Sequence, residues 1–135
     1  MNFFADTSGW MSLFNTKEAR YSTVRNWMNT AAGQGHHFIV TDYIIDETIT
    51  GLLGRVDHNT AAAFAKWILK QKHITILNIT EEIWHDALEM FYRYDDKQYS
   101  FTDCTSFVVM QKRKLYDAFT LDRHFEQMGF RLWPR

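Results

Sequence analysis

Cysteine and proline are almost absent from this chain, which holds one of each in 135 residues. The lone thiol, Cys104, excludes an intrachain disulfide and points to a reducing compartment. Long apolar runs are missing as well. None approaches the roughly 18 residues that a membrane helix requires, so no membrane span is expected. The first residues carry neither the basic region nor the apolar stretch of a secretory leader, and a cytoplasmic protein is expected. Charge of one sign is also lacking. With a net charge of -1 and a pI near 6.6, the chain has no global basic footprint of the kind that grips nucleic acid by phosphate contacts alone. That weighs against a stable nucleic-acid binder but leaves a nuclease open, because bound cations invert the local charge of an acidic site. Histidines at 36, 37, 58, 73, 85 and 124 show no spacing suited to zinc, and Gly51-Leu52-Leu53-Gly54 has neither the length nor the lysine of a phosphate loop.

What remains is an ordinary globular composition, 46% hydrophobic and 23% charged, with an aromatic content of 16% that includes five tryptophans. A chain of this length fits one domain with a full core and needs no covalent staple. Short apolar runs at Asn2-Ala5, Phe38-Val40, Ile74-Ile79, Ala118-Thr120 and Phe130-Leu132 read as strands covered on both faces. Helical patterns lie between them, at about Thr7-Leu13, Lys17-Ala32, Asp42-Gly54, Asn59-Lys72, Glu81-Tyr94, Asp103-Arg113 and Arg123-Met128. Thr80 is placed to cap the fifth helix, and Gly33 and Gly35 to stop the second. Strands alternating with helices predict an α/β fold with three α/β/α layers and a central, mainly parallel sheet. No repeat, low-complexity tract or interdomain linker interrupts it.

Four carboxylates stand at the edges of these elements: Asp6 ends the first strand, Glu47 sits within the third helix, Asp103 opens the sixth and Asp122 follows the fourth strand. In an open parallel sheet ligands bind beyond the carboxyl ends of the strands, where Asp6 and Asp122 fall. Each acid also has a plain structural use. Asp6 and Asp122 can cap the helices that follow them, and Asp103 can close a Ser100-x-x-Asp103 capping box. The two uses are compatible, since an acid at a helix start gains from the positive end of the dipole and stays ionised. Glu47 is not placed as a cap. On a helical projection Ile45, Ile49, Leu52, Leu53 and Val56 form one stripe, and Glu47 falls opposite, with Gly51 and Gly54. Two residues without side chains suggest that this opposite face packs close to something. Asp46, on the flank, is the competing acid.

The segments Asn2-Phe3-Phe4-Ala5-Asp6-Thr7-Ser8, Ile44-Ile45-Asp46-Glu47-Thr48-Ile49-Thr50-Gly51-Leu52-Leu53, Ser100-Phe101-Thr102-Asp103-Cys104-Thr105-Ser106-Phe107 and Ala118-Phe119-Thr120-Leu121-Asp122-Arg123-His124-Phe125 resemble the successive motifs of PIN-domain ribonucleases. The resemblance spans nearly the whole chain, in the family's order and at similar spacing, and the length is similar to that of VapC-type toxins of prokaryotic toxin-antitoxin pairs. It implies a single PIN-like domain acting as a metal-dependent endoribonuclease. Asp6, Glu47, Asp103 and Asp122 would then be the catalytic and metal-binding positions for Mg2+, with Mn2+ as an alternative. The family's hydroxyl residue beside the first acid falls on Thr7 or Ser8, and Ser8 and Thr102 are further candidates to hydrogen-bond the acids. The partners implied are RNA, a cognate antitoxin and a second copy of the chain. Rival readings within the resemblance are a housekeeping RNA-processing or structure-specific nuclease and an inactive protein-binding module; four retained acids argue against the last, since a binding surface has no use for clustered charge.

Hard divalent ions prefer the oxygen ligands of such a cluster. Arg123 near the site, and the triplet Lys112-Arg113-Lys114, could meet RNA phosphates or simply be helix-end charge. Trp10, Met11, Phe14 and Trp27 could form an apolar groove for the antitoxin or belong to the core. Cys104 is expected to be a buried core thiol and His124 a helix-surface residue that could face substrate.

Overall fold

A computed structural model describes all residues, 1-135. The chain runs β1 (Asn2–Ala5), α1 (Thr7–Phe14), α2 (Tyr21–Gly33), β2 (His37–Thr41), α3 (Asp42–Arg55), α4 (His58–Ile68), β3 (Ile74–Leu77), α5 (Glu81–Arg93), α6 (Phe101–Arg113), β4 (Asp117–Phe119), α7 (Arg123–Gln127) and β5 (Arg131–Trp133). Every expected strand and helix is present. Boundaries move where local hydrogen bonding differs from the apolar pattern. Lys17 to Arg20 form turns and not the first turn of α2, α4 stops at Ile68, and α6 starts at Phe101, two residues earlier than expected, because it begins directly after its cap Ser100.

All five strands are parallel in the order β3-β2-β1-β4-β5. After β1 the chain builds outward through β2 and β3, then returns to the other side of β1 for β4 and β5. The order therefore reverses between β1 and β4, and the crevice beyond their carboxyl ends is where such a sheet offers a binding site. No helix is long and apolar enough to cross a membrane.

Alternation along β1 divides the core. Phe3 faces an aromatic cluster with Trp27, Phe38 and Trp133, while Phe4 stacks on Phe125 on the opposite face, where Phe107 and Phe130 complete the layer. Trp10 is fully buried against Phe38, Phe64, Trp67 and Phe119. It is a core residue and no part of an antitoxin groove. Trp27 stacks on Phe119, and only Phe14, with Leu13, Met28 and Trp67, lines an apolar surface cleft.

Two close approaches set the position of α1. A β-carbon on Gly9 would meet the carbonyl oxygen of Phe119 at 2.8 Å, so only glycine lets the helix lie this close to β4. A β-carbon on Gly51 would lie 2.8 Å from the sulfur of Met11, which brings α3 down onto the same helix. The expected tight packing around Gly51 is thus real, whereas Gly54 faces open space. The expected apolar stripe of α3 is shifted. Ile44, Thr48 and Leu52 are its buried line, Ile45 and Ile49 are half-buried, and Leu53 and Val56 are exposed. The shift arises because Thr48 turns its hydroxyl back to the carbonyl of Ile44, 2.7 Å away, which lets a polar residue enter the core line.

Candidate metal centre

Asp6, Glu47, Asp103 and Asp122 all line one open cleft of about 500 Å³ at the reversal between β1 and β4. Thr7, Ser8, Ser100, Gln98, Arg55 and His124 line it too. Glu47 comes in on the side of α3 that faces α1, and Asp46, one residue away, is exposed and takes no part in the lining.

Three of the acids are held by their helix caps. Asp6 caps α1, accepting from the backbone N–H of Ser8; Asp122 caps α7, accepting from that of His124 at 2.9 Å. Asp103 completes the capping box with Ser100, each side chain accepting from the other's backbone N–H at 3.1 and 3.0 Å. Capping and clustering coexist because a cap uses one or two lone pairs and leaves the rest of the carboxylate turned outward. Glu47 is oriented differently, by the hydroxyl of Thr7 donating to its Oε1.

Around Asp6 the end of β1 is stitched to the end of β4. The Asp6 N–H donates to the carbonyl of Phe119 at 3.0 Å, and Oδ2 accepts from Thr120 Oγ1 at 2.8 Å and Ser8 Oγ at 3.0 Å. Each of those hydroxyls in turn accepts a backbone N–H from the β4 side, Asp122 to Thr120 at 3.0 Å and Leu121 to Ser8 at 2.9 Å. Asp122, beyond β4, is therefore linked through the one hydroxyl of Thr120 to Asp6, the residue that follows β1.

The cleft pays for this convergence electrostatically. Burial raises the pKa of Asp6 to about 7, against the partial relief given by Thr120 and with the charge of Asp103 adding to the rise. Burial likewise raises Glu47, whose hydrogen bond from Thr7 opposes the shift while Asp103, Asp122 and Asp46 add to it. Asp103 is raised by burial too, moderated by the Ser100 N–H and by His124. Like charges crowded away from water seek protons or cations.

His124, expected on a helix surface, is part of the site. Its Nδ1 lies 3.2 Å from Asp103 and 3.5 Å from Asp122, and its ring packs edge-on against Tyr99. One ligand atom from each of Asp103, Asp122 and His124 falls within 4.8 Å of the others, a spacing that suits a shared ion. Ser8 and Thr7 contact the acids as anticipated. Thr102 does not: it is absent from the cleft lining, and its carbonyl accepts the hydroxyls of Thr105 and Ser106 along α6, so Ser100 does the holding instead. Thr120 was missed altogether. Its signal was a hydroxyl two residues before an acid at a strand end, a pattern that reads equally well as the last residue of the strand.

The other candidates resolve by position. Lys112 pairs with Glu82 and Asp86 of α5, and it lies roughly 14 Å along α6 from Asp103. Arg123 is exposed and bridges to Glu126 at 3.0 Å. Cys104 is buried, with burial and the neighbouring Asp103 raising its thiol to about 11, which suits a core residue and not a nucleophile.

A doubly wound parallel sheet with four carboxylates gathered in an open cleft where its strand order reverses defines an α/β protein with a candidate site for a hard cation. The PIN domain profile matches residues 3–131, and the chain belongs to that family. Over 128 residues, 94% of each chain, it is 33% identical to the 23S rRNA-specific endonuclease VapC20 of Mycobacterium tuberculosis. The crystal structure of VapC20, a Sarcin-Ricin loop cleaving toxin, superimposes with a TM-score of 0.87 at 31% identity and covers 95% of both chains. VapBC2 from Rickettsia felis bound to a DNA fragment from its promoter (TM-score 0.72, 10% identity, 98% and 97% covered) and FitAcB from Neisseria gonorrhoeae (0.66, 11%, 98% and 96%) share the fold.

Proposed function

We propose that this chain is an endoribonuclease that hydrolyses RNA phosphodiester bonds with Mg2+ or Mn2+, as the toxin of a toxin-antitoxin pair. The observation that carries the reading is the meeting of Asp6, Glu47, Asp103 and Asp122, from four distant segments, in one cleft. The relative at 33% identity is named for cutting 23S rRNA, which makes large-subunit rRNA the first substrate to test. A cognate antitoxin and self-association belong to the same reading, and exposed Leu53, Val56 and Leu69 are apolar surface available to either.

The donor set fits a hard divalent ion: carboxylate oxygens dominate, with one imidazole and no thiolate. Asp103, Asp122 and Asp6 would hold it, with Glu47 completing the charge. When bound, the ion supplies Lewis acidity toward the phosphodiester and a more acidic water. The chain's own part is positioning. Thr120 and Ser8 fix the rotamer of Asp6, Thr7 aims Glu47, and His124 Nδ1 hydrogen-bonds Asp103 at 3.2 Å and lies 3.5 Å from Asp122, between the two carboxylates. Arg55 and Gln98, on the cleft wall, offer donors to phosphate oxygens of a bound strand.

Purified protein incubated with ribosomal RNA should cut it when Mg2+ or Mn2+ is present and stop under EDTA, with activity returning when the ion is restored. Asp103→Asn should remain folded and cut at least about 1000-fold more slowly, roughly 4 kcal/mol of barrier. Cleavage that persists after exhaustive chelation, or in the Asp103→Asn protein at the wild-type rate, would sink the reading.

A further inference from the structure

A second cleft of about 510 Å³ opens beside the acidic one, and its charge is opposite. Arg20, Arg123, Arg131 and Arg135 line it, half of the chain's eight arginines, against a single acid, Glu126. No lysine takes part. The two clefts share Leu121 as a wall, and Thr120, which lines the arginine cleft, donates its hydroxyl to Asp6 in the other. A chain with a net charge of -1 has thus concentrated guanidinium groups at the mouth of its acidic site.

These arginines are organised to different degrees. Arg131 is clamped by the buried Asp117, Nε at 2.7 Å and Nη2 at 2.9 Å, and Asp117 is itself steadied by the indole N–H of Trp133 at 2.8 Å. Two of its five N–H donors are spent there, and the rest stay available on a fixed plane. Arg135 rests over the ring of Trp133, 4.9 Å from its centroid. Arg123 leans on Glu126, and Arg20 stands at the start of α2, so both can swing toward a ligand. Guanidinium forks match phosphate oxygens in pairs, and Leu121, Leu132 and Pro134 between them give apolar surface that suits sugars and base faces.

We propose that this arginine groove is the subsite that holds the phosphodiester backbone of the RNA strand on one side of the bond being cut, feeding it past Leu121 into the acidic cleft. The proposal rests on the nuclease reading above and adds where the strand lies. It favours RNA over an acidic protein because the groove is continuous with the place where a scissile phosphate must sit, and because it brings cations to a cleft whose own carboxylates repel phosphate. Catalysis and grip are therefore divided between neighbouring clefts of opposite sign.

The test compares the wild-type chain with Arg20→Gln/Arg123→Gln/Arg135→Gln, leaving Arg131 in place so that Asp117 keeps its partner. A control, Lys66→Gln/Lys70→Gln/Lys72→Gln, removes the same charge from exposed residues of and after α4. A labelled single-stranded RNA oligonucleotide is titrated under EDTA between about 50 and 200 mM salt. The arginine variant should bind about 10- to 100-fold more weakly, and its plot of log affinity against log salt should be shallower by roughly 2, about 0.7 for each lost phosphate contact. The lysine control should stay near wild type. With metal, the arginine variant should show the loss in KM and keep kcat within about 3-fold. Equal slopes and affinities for wild type and arginine variant would overturn the proposal, as would equal losses in the lysine control. Retained RNA binding with lost binding of a polyglutamate peptide would assign the groove to an acidic protein and likewise overturn it. Binding is read without cleavage, so a wild-type chain that binds with the expected slope but never cuts would fail the nuclease reading alone.

Discussion

The acidic cleft and the arginine groove share a wall, yet they are built by opposite rules. In the first, charges are short, buried and locked: Asp6 and Asp103 are 4% and 8% exposed, and each is held by a helix cap and at least one further hydrogen bond. In the second they are long and mostly exposed; the Arg123 side chain is 80% exposed and that of Arg131 55%. A site that must place oxygens to within a fraction of an ångström accepts the cost of desolvation in exchange for rigidity. A surface that must follow a flexible polymer keeps its charges in water, where each contact is weak and many add up.

The contrast is sharpest in kinetics. Asp6→Asn should lower kcat by about 1000-fold or more with little change in RNA affinity, whereas loss of the groove arginines should act on KM; single-turnover measurements separate the two. Acid variants that fail only in KM, or arginine variants that fail only in kcat, would erase the division of labour.

A smaller effect concerns stability without metal. Asp6 binds its proton near pH 7 in the folded chain, against an ordinary value of 3.8. Between those values the folded state holds more protons than the unfolded one, so metal-free stability should rise as pH falls from about 7 toward 4 and drop as pH rises through 7. Mg2+ should reverse the loss by binding the ionised form. Asp6→Asn, free of that charge, should be more stable than wild type in EDTA at neutral pH, on the order of 2 kcal/mol, and should show a flatter profile. Thermal melts across pH with and without Mg2+ check both; an unchanged profile in Asp6→Asn would mean that another group carries the strain. No comparable pH dependence is expected from the exposed groove.

The smallest expected effect is at Thr120, which lines the arginine groove and donates its hydroxyl to Asp6 in the acidic cleft. Thr120→Val keeps the shape and removes the donor to Asp6, and it should slow cleavage about 10-fold with RNA affinity intact, while Thr120→Ser restores the rate. A Thr120→Val protein that loses affinity and keeps its rate would place this residue with the groove.

How much of this could be read without coordinates depends on the range of the forces involved. The order of elements, the caps at Thr80 and Ser100 and the acids at strand ends follow from neighbours a few residues apart, and those expectations hold. Where a hydroxyl intervened, they slipped: Thr48 moved the buried line of α3, and Thr102 gave way to Ser100; of the two uses open to Trp10, the core is the one it takes.

By itself, the order of residues determined an alternating α/β chain with carboxylates poised where strands end, because hydrophobic period and capping are local properties of the backbone. Only the tertiary structure decided that Glu47 and not Asp46 joins them, that Thr120 and His124 hold them, and that four arginines from the start of α2, α7, the last strand and the residues after it assemble next door. Those meetings depend on which way each parallel crossover returns and how closely two helices can approach, and both are set by contacts between residues far apart in the chain.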